Sequence, residues 1–264
     1  MSQLEKGGRF AALHESGTFV IPNPWDAGSA KVMAALGFEA LATTSSGFAF
    51  TLGRLDGGAR LDEVVEHTAA LDAATPLPVS VDLENGYGPG PADAAAAVVG
   101  VAGAGAVGGS IEDFSPDEGI YAVDRAAERV AAASEAARAL SFPFTVTARA
   151  ENHIRGNPDL GDTIARLQAY EAAGADVLYA PGLRTAEEIG AVCDAVAKPV
   201  NALARGNLTL AEISAAGARR VSVGGALTWV AVGAMAEAAT RIGEGDFGSL
   251  RTDVPIDDWL RPPG

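Results

Sequence analysis

The sequence predicts an α/β protein folded as a single (β/α)8 TIM barrel, and three observations predict it. Short β-branched or apolar runs recur at intervals of about 20 to 40 residues, and each is followed by a longer segment of helical spacing, in eight such pairs. Four of the helical segments end in small residues before the next apolar run, at Leu36-Gly-Phe, Gly103-Ala-Gly, Gly174-Ala-Asp and Gly217-Ala-Arg. Glycine at such a junction can take the left-handed backbone that ends a helix. The length of 264 residues is also that of one barrel domain, typically about 250. A doubly wound sheet with extra strands is the alternative, but the early Gly-x-Gly-x-x-Gly turn of its dinucleotide-binding version is missing.

In chain order the predicted strands are Thr18 to Ile21, Ala40 to Thr44, Pro78 to Leu83, Ala106 to Ile111, Phe144 to Ala148, Val177 to Tyr179, Val200 to Leu203 and Val221 to Val223. Helices are predicted after them at Ala27 to Ala35, Leu61 to Ala73, Ala92 to Ala104, Val123 to Leu140, Asp159 to Ala173, Ala186 to Ala197, Leu210 to Ala216 and Thr228 to Ile242. No low-complexity linker divides the chain, so residues 1 to 264 form one domain. From about Gly245 a Pro- and Asp-bearing tail with Trp259 reads as a C-terminal arm or subunit contact.

Composition narrows the function. Apolar residues make up 48% of the chain, enough for a large buried sheet wrapped in helices. The formal charge is −15, with no basic run to attract phosphodiesters, so nucleic acid is not an expected partner. Met1 to Phe10 is polar, and no stretch of about 18 apolar residues runs without Gly or charge. No membrane association is expected, and the expected location is cytoplasmic. The single cysteine, Cys193, fits a reducing compartment and reads as a structural thiol on a helix.

An active site on a barrel of this kind lies at the C-terminal ends of the strands. Collecting the polar residues there yields Thr43 to Gly47 after strand two, Asp82, Glu84 and Asn85 after strand three, and Glu112 and Asp113 after strand four. Arg149, Glu151 and His153 follow strand five, and Asn201 lies on strand seven. Carboxylates converging on one mouth repel one another unless a cation neutralises them, and hard oxygen ligands without paired His or Cys favour Mg²⁺, with Mn²⁺ as the alternative. Asp82 and Glu84, one residue apart, would face the mouth together on a regular strand, with Glu112 approaching from the neighbouring one. The plainer alternative is that these residues cap helices or pair with arginines.

Arg149 interrupts an apolar run where its strand reaches the mouth, and its planar fork suits a substrate carboxylate, or equally a salt bridge to Glu112 or Glu151. The Thr44-Ser45-Ser46-Gly47 turn offers hydroxyls and N–H groups to the same ligand. His153 lies farther out and reads as a surface or supporting residue, while His14 and His67 receive no role. The pair Gly224-Gly225 after the last strand is explained by close packing as well as by a phosphate site.

Taken together, Asn23-Pro-Trp-Asp-Ala-Gly-Ser-Ala, Thr43-Thr-Ser-Ser-Gly with Leu52-Gly-Arg-Leu-Asp, Val81-Asp-Leu-Glu-Asn-Gly-Tyr-Gly, Gly109-Ser-Ile-Glu-Asp and Ala148-Arg-Ala-Glu-Asn resemble the isocitrate lyase and phosphoenolpyruvate mutase superfamily, over about residues 15 to 240. The resemblance implies a barrel whose last helix is exchanged between subunits of a homodimer or homotetramer, and a Mg²⁺ ion on the oxygens of a small carboxylate substrate. It makes Asp82 the direct metal ligand and has Glu84 and Glu112 hold the metal largely through water. It gives Arg149 the substrate carboxylate and enolate, and Thr44, Ser45 and Ser46 the carboxylate cradle. Asn201 is expected to bind substrate, and Asp56, on a mobile segment after strand two, to reach into the site.

Two departures shape the expected reaction. After Glu112-Asp113 the isocitrate and methylisocitrate lyases carry a Lys-(Lys/Arg)-Cys-Gly-His gate, and the phosphonate mutases a Lys and an Asn. This chain reads Phe114-Ser-Pro-Asp-Glu-Gly-Ile-Tyr instead. Where tricarboxylate lyases bear a glutamate near the end of strand six, it has Ala180-Pro-Gly. The expectation is a Mg²⁺-dependent carbon–carbon lyase or hydrolase acting on a small α-keto or 2-hydroxy acid through an enolate. Its alternatives are a C–P mutase or hydrolase acting on a phosphonopyruvate-like substrate, and a non-catalytic carboxylate-binding barrel.

Overall fold

The computed structural model describes residues 1–250 and 253–261. The chain opens with α1 (Gln3–Ala12), β1 (Phe19–Ile21), α2 (Ala27–Ala35), β2 (Leu41–Ala42), α3 (Ser45–Thr51), α4 (Leu61–Ala74), β3 (Val79–Asp82), α5 (Pro91–Gly103) and β4 (Gly108–Glu112). A small hairpin follows, β5 (Phe114–Ser115) and β6 (Gly119–Ile120), and then α6 (Val123–Arg138) and β7 (Thr145–Arg149). The rest is a 3-10 turn (Asn152–Ile154), α7 (Leu160–Ala172), β8 (Val177–Tyr179), α8 (Ala186–Ala195), β9 (Val200–Leu203), α9 (Leu210–Ala215), β10 (Arg220–Ser222), α10 (Ala226–Gly243), a second 3-10 turn (Gly248–Leu250) and α11 (Ile256–Leu260).

Eight parallel strands make one sheet in the order β1-β10-β9-β8-β7-β4-β3-β2, and the gap between β1 and β2 is bridged where Ala42 N–H donates to Pro22 O at 3.1 Å. The barrel is thus nearly closed, as predicted. The reason is the alternation along each strand. Val79 and Val81 face outward against Leu71 and Val98 of the surrounding helices, while Ser80 and Asp82 face the lumen. Helices begin where a short polar side chain caps them, as Asp26, Thr44, Asp159, Thr185 and Thr209 do. The four glycine junctions read from the sequence hold as well, since Gly37, Gly105, Gly174 and Gly217 all have φ between 87° and 106°.

The lumen is apolar at its N-terminal end and polar toward the mouth. Phe10 of α1, fully buried, plugs the bottom against Phe19, Ile21, Ala40 and Val107. Lys6 ties the same helix to α4 by donating to Asp72 Oδ1 at 2.6 Å. The sequence reading missed α1, because its apolar positions are too few to show a helical period. It also missed α3, the β5–β6 hairpin and α11, all of them shorter than the window over which periodicity declares itself.

The last long helix stands apart. In α10 only Thr228 is buried, and Trp229, Val230 and Met235 are 48%, 68% and 60% exposed. The chain then returns, and α11 lies against α2, where Lys31 Nζ donates to Leu260 O at 3.3 Å. Of the arm predicted from about Gly245, positions 251, 252 and 262 to 264 lie outside the described residues. Among the described residues no helix is long and apolar enough to cross a membrane.

Phe10→Ala removes the barrel's plug and is expected to lower stability by about 3–5 kcal/mol in urea denaturation. On the same helix Leu4, 59% exposed, should tolerate Ala within about 0.5 kcal/mol. Equal effects would show that α1 does not close the core.

Candidate active site

At the strand C-termini a cavity of about 390 Å³ is lined by Ser45, Asp56, Glu84, Glu112, Phe114, Arg149 and Arg155. Directly beneath it, the lumen keeps a small void of about 60 Å³ bounded by Thr44, Asp82, Asn201 and Arg220. A larger cavity, about 800 Å³, opens at the opposite end beside the strand starts Thr145, Val177 and Val200, far from every carboxylate singled out above. The carboxylates and arginines therefore gather at the mouth rather than around that wider cavity, at the end where barrel active sites lie.

Asp82 closes β3, and its carboxylate accepts from Ser45 N–H at 3.3 Å and from Glu84 N–H at 3.2 Å. Its own N–H donates to Thr43 Oγ1 at 2.8 Å, which pins β3 to the end of β2. Glu84 reaches the mouth by a different route from the one predicted. The strand stops at Asp82, and Glu84 sits at φ 47°, in the left-handed region that a residue with a side chain adopts reluctantly. The regular-strand argument for pairing Asp82 with Glu84 is corrected accordingly: a turn, not the pleat, aims the second carboxylate.

Burial, followed by the charges of Asp82 and Asp56, pushes the Glu84 carboxyl up to about 7. Burial likewise raises Glu112 well above the usual carboxylate range, with Glu151 and Asp82 adding to it and Arg149 opposing. Asp56 arrives on the loop between α3 and α4 and faces the same cavity. Among the described residues the mouth thus gathers Asp56, Asp82, Glu84, Glu112 and Glu151 around two arginines, Arg149 and Arg155.

Arg149 ends β7 and spans this acid cluster. Its Nη1 lies 3.4 Å from Glu112 and 3.9 Å from Asp82, and its Nε donates to the fully buried Glu151. Burial disfavours the cation, but Glu112 and Glu151 outweigh it, so the guanidinium stays charged throughout the working range. Both of its predicted partners, Glu112 and Glu151, are present. Asp113 faces away from the cavity. It accepts from Arg166 Nη1 at 2.9 Å and from Glu151 N–H at 2.7 Å, and so anchors the segment that carries Glu151.

The Thr44 to Gly47 turn is the start of α3, with Thr44 as its cap. Thr44 is buried and its Oγ1 lies 3.2 Å from Ser46 Oγ, while Ser45 lines the cavity. Asn201 is buried below the mouth with its amide engaged. Its Oδ1 accepts from Arg220 Nε at 2.9 Å and its Nδ2 donates to Ser222 Oγ at 3.0 Å. His153 lies outside the cavity beside Thr163 Oγ1, at 2.8 Å. Cys193 is half-buried on α8, and burial pushes its thiol up to about 11, in keeping with an inert structural role. At Gly225 a β-carbon would lie 2.6 Å from Ser46 Oγ, so close packing accounts for that glycine.

Sequence reasoning missed Arg155 and Arg220. Arg155 sits in a polar loop without periodicity, and only the fold shows where it points. Arg220 opens β10 with its side chain in the lumen, 5% exposed, with burial lowering it to about 10 and, among the described residues, no acidic partner. Its strand parity relative to Val221 was the one available signal.

A divalent cation fits the excess of carboxylates at the mouth, where burial and the neighbouring acids raise Glu84 and Glu112 and a positive charge would favour their ionised forms. Among the described residues, no three acidic, His or Cys side chains close up into a ready-made coordination shell. The fit therefore rests on charge and oxygen donors, not on a preformed shell.

Residues 10–243 match the family model described as phosphoenolpyruvate phosphomutase. A crystal structure from Burkholderia cenocepacia J2315, provisionally assigned as a lyase/mutase, is 52% identical over 99% of this chain and 97% of its own, with a TM-score of 0.95. Oxaloacetate acetylhydrolase, solved with the inhibitor 3,3-difluorooxalacetate, is 26% identical over 97% of this chain and 93% of its own, with a TM-score of 0.86. 2,3-Dimethylmalate lyase, a member of the PEP mutase/isocitrate lyase superfamily, is 26% identical over 99% and 95% of the two chains, also with a TM-score of 0.86.

The raised Glu84 carboxyl implies a pH signature. In the folded, metal-free protein it holds its proton to about 7, against an ordinary value of 4.5. That contribution to stability is complete below the ordinary value and is lost as pH rises through about 7. The melting temperature of chelator-treated protein should therefore fall between about pH 5 and about pH 8, and Glu84→Gln should remove part of the fall. An unchanged slope in the variant would mean that Glu84 is solvated.

Proposed function

The chain belongs to the phosphoenolpyruvate mutase family of the PEP mutase/isocitrate lyase superfamily, and from that premise we propose that it is a Mg²⁺-dependent enzyme cleaving a carbon–carbon bond of a small 2-oxo or 2-hydroxy carboxylic acid through an enolate. One observation carries the reading: Arg149, buried and permanently charged, pairs with Asp82 and Glu112 on the wall of a cavity of substrate size that Glu84 also lines. The hydrolase and lyase among the solved relatives act, by their names, on oxaloacetate and 2,3-dimethylmalate, and so support the carbon-acid class.

In this reading the substrate carboxylate lies between Arg149 and the Thr44-Ser45-Ser46 turn, with Asn201 beneath. Asp82, Glu84 and Glu112 are the residues that would hold the cation, which supplies electrophilic stabilisation to the oxygen where charge develops. As the carbon–carbon bond breaks, the deprotonated oxygen closes to a carbonyl on one fragment while the bond's electron pair passes into the other as the enolate of a carboxylic acid, which the Arg149 guanidinium steadies until the proton taken up by Asp56 returns to its carbon. A base must remove the proton of the substrate hydroxyl or of an attacking water, and Asp56, on its loop at the cavity edge, is that base. Locking Asn201 between Arg220 and Ser222 means its amide approaches the substrate in one orientation. The cytoplasm is the proposed setting.

The same reading includes assembly. Two copies would exchange α10, covering the exposed Trp229, Val230 and Met235 of each, in a homodimer or a pair of such dimers.

Arg149→Ala should lower turnover by about a hundredfold or more with Mg²⁺ affinity changed far less. A panel of oxaloacetate, 2-methylmalate and phosphonopyruvate, each with and without Mg²⁺, tests the reaction. Metal-dependent product from the carbon acids supports the proposal, product from phosphonopyruvate alone favours C–P chemistry, and binding without product indicates a non-catalytic barrel. Light scattering should give two or four times the mass of one chain, and Trp229→Glu should shift it toward the monomer. A wild-type monomer would rule out the exchange.

A further inference from the structure

The hairpin over the mouth, from Phe114 to Tyr121, contains no lysine or arginine, so it brings no cation to a negatively charged group entering the cavity. The structure provides one from the segment after β7, beside the hairpin. Arg155, just past the 3-10 turn that follows β7, lines the cavity with Asp56, Glu84 and Arg149. Its guanidinium carbon lies 3.7 Å from the centre of the Phe114 ring, and its Nε donates to Glu151 Oε2 at 3.0 Å. The ring on one face and the carboxylate at one edge hold the plane of the group.

What remains free is the outer edge. Among the described residues neither terminal nitrogen of Arg155 has a hydrogen-bond partner, and apart from Glu151 at Nε its acidic neighbour is Glu112, whose Oε1 forms a long ion pair with Nη2 at 4.0 Å. Glu151 is shared with Arg149, so one buried carboxylate orients two guanidinium groups toward the same space. Arg149 is spent on Glu112, Asp82 and the reacting end of the substrate, which among the described residues lining the cavity leaves Arg155 as the fork whose terminal nitrogens have no hydrogen-bond partner. A single planar fork matches a carboxylate through two parallel hydrogen bonds.

We propose that Arg155 determines specificity by binding a second, distal carboxylate, so that the preferred substrate is a short dicarboxylic oxo or hydroxy acid rather than a monocarboxylic one. The assignment rests on the carbon-acid reading above only for where the reacting end of the substrate sits. Phe114 makes the contact depend on the hairpin: its ring braces Arg155 only while the hairpin lies over the mouth.

The test measures binding, so that it does not depend on turnover. Calorimetry on protein supplied with Mg²⁺ would compare 3,3-difluorooxalacetate, which carries two carboxylates, with pyruvate, which carries one, and with phosphonopyruvate. Arg155→Gln should weaken the dicarboxylate at least about tenfold and leave pyruvate within about twofold, with Arg155→Lys in between. Phe114→Leu, which keeps the charge but removes the brace, should reproduce a smaller loss for the dicarboxylate alone. Equal losses for dicarboxylate and pyruvate would overturn the assignment, as would no loss for the dicarboxylate, or a larger loss for phosphonopyruvate than for it. If the wild type cleaves none of the acids while the selective loss persists, the cleavage reading falls and the role of Arg155 stands.

Discussion

Glu151 is the group on which the site depends. It is fully buried, yet it accepts from Arg149 and from Arg155, and its own N–H is held by Asp113, which in turn takes Arg166. Taking so many charges out of water costs several kcal/mol for each ion unless every one is paired. Here the carboxylate and guanidinium groups form a connected chain from α7 through β4 to β7 and the mouth. Breaking one link leaves a buried charge alone, so the chain holds its geometry more firmly than any single ion pair at the surface would.

The barrel interior divides its labour along its axis. At the bottom, Phe10, Phe19 and Ile21 fill the lumen and supply stability. Higher up, the same strand parity delivers Ser80, Ser110, Thr147, Asn201 and Arg220, a polar lining that gives up apolar burial. Arg220 lies in this lining with no acidic partner among the described residues, hydrogen-bonded to Asn201 and to Thr147 Oγ1 at 3.1 Å. A cation at that depth draws anions toward the mouth, and it sits beneath the place where a carboxylate substrate would lie. The excess of acids above it has the opposite sense, which is why the site suits an anionic ligand and a cation together.

Much of this was legible in the residue order. The eight strand and helix pairs, the glycine junctions and the grouping of Asp82, Glu112 and Arg149 at strand ends follow from period, backbone freedom and the rule that barrel chemistry lies at the strand C-termini. These are local properties, carried by neighbours in sequence. The pairing of Asp82 with Glu84 was anticipated for the wrong reason: alternation along a strand cannot foresee that β3 stops and that Glu84 takes a left-handed turn.

The sequence by itself therefore determined the barrel, its direction and the inventory of charged groups at its mouth. Only the tertiary structure decided that Asp113 faces away while Glu151 faces two arginines, that Asn201 is locked by Arg220, and that Arg155 reaches Phe114 of a hairpin. The physical reason is that period and propensity act over a few residues. The direction of a side chain at the end of a strand is set by charges and surfaces brought to it from elements far away in the chain.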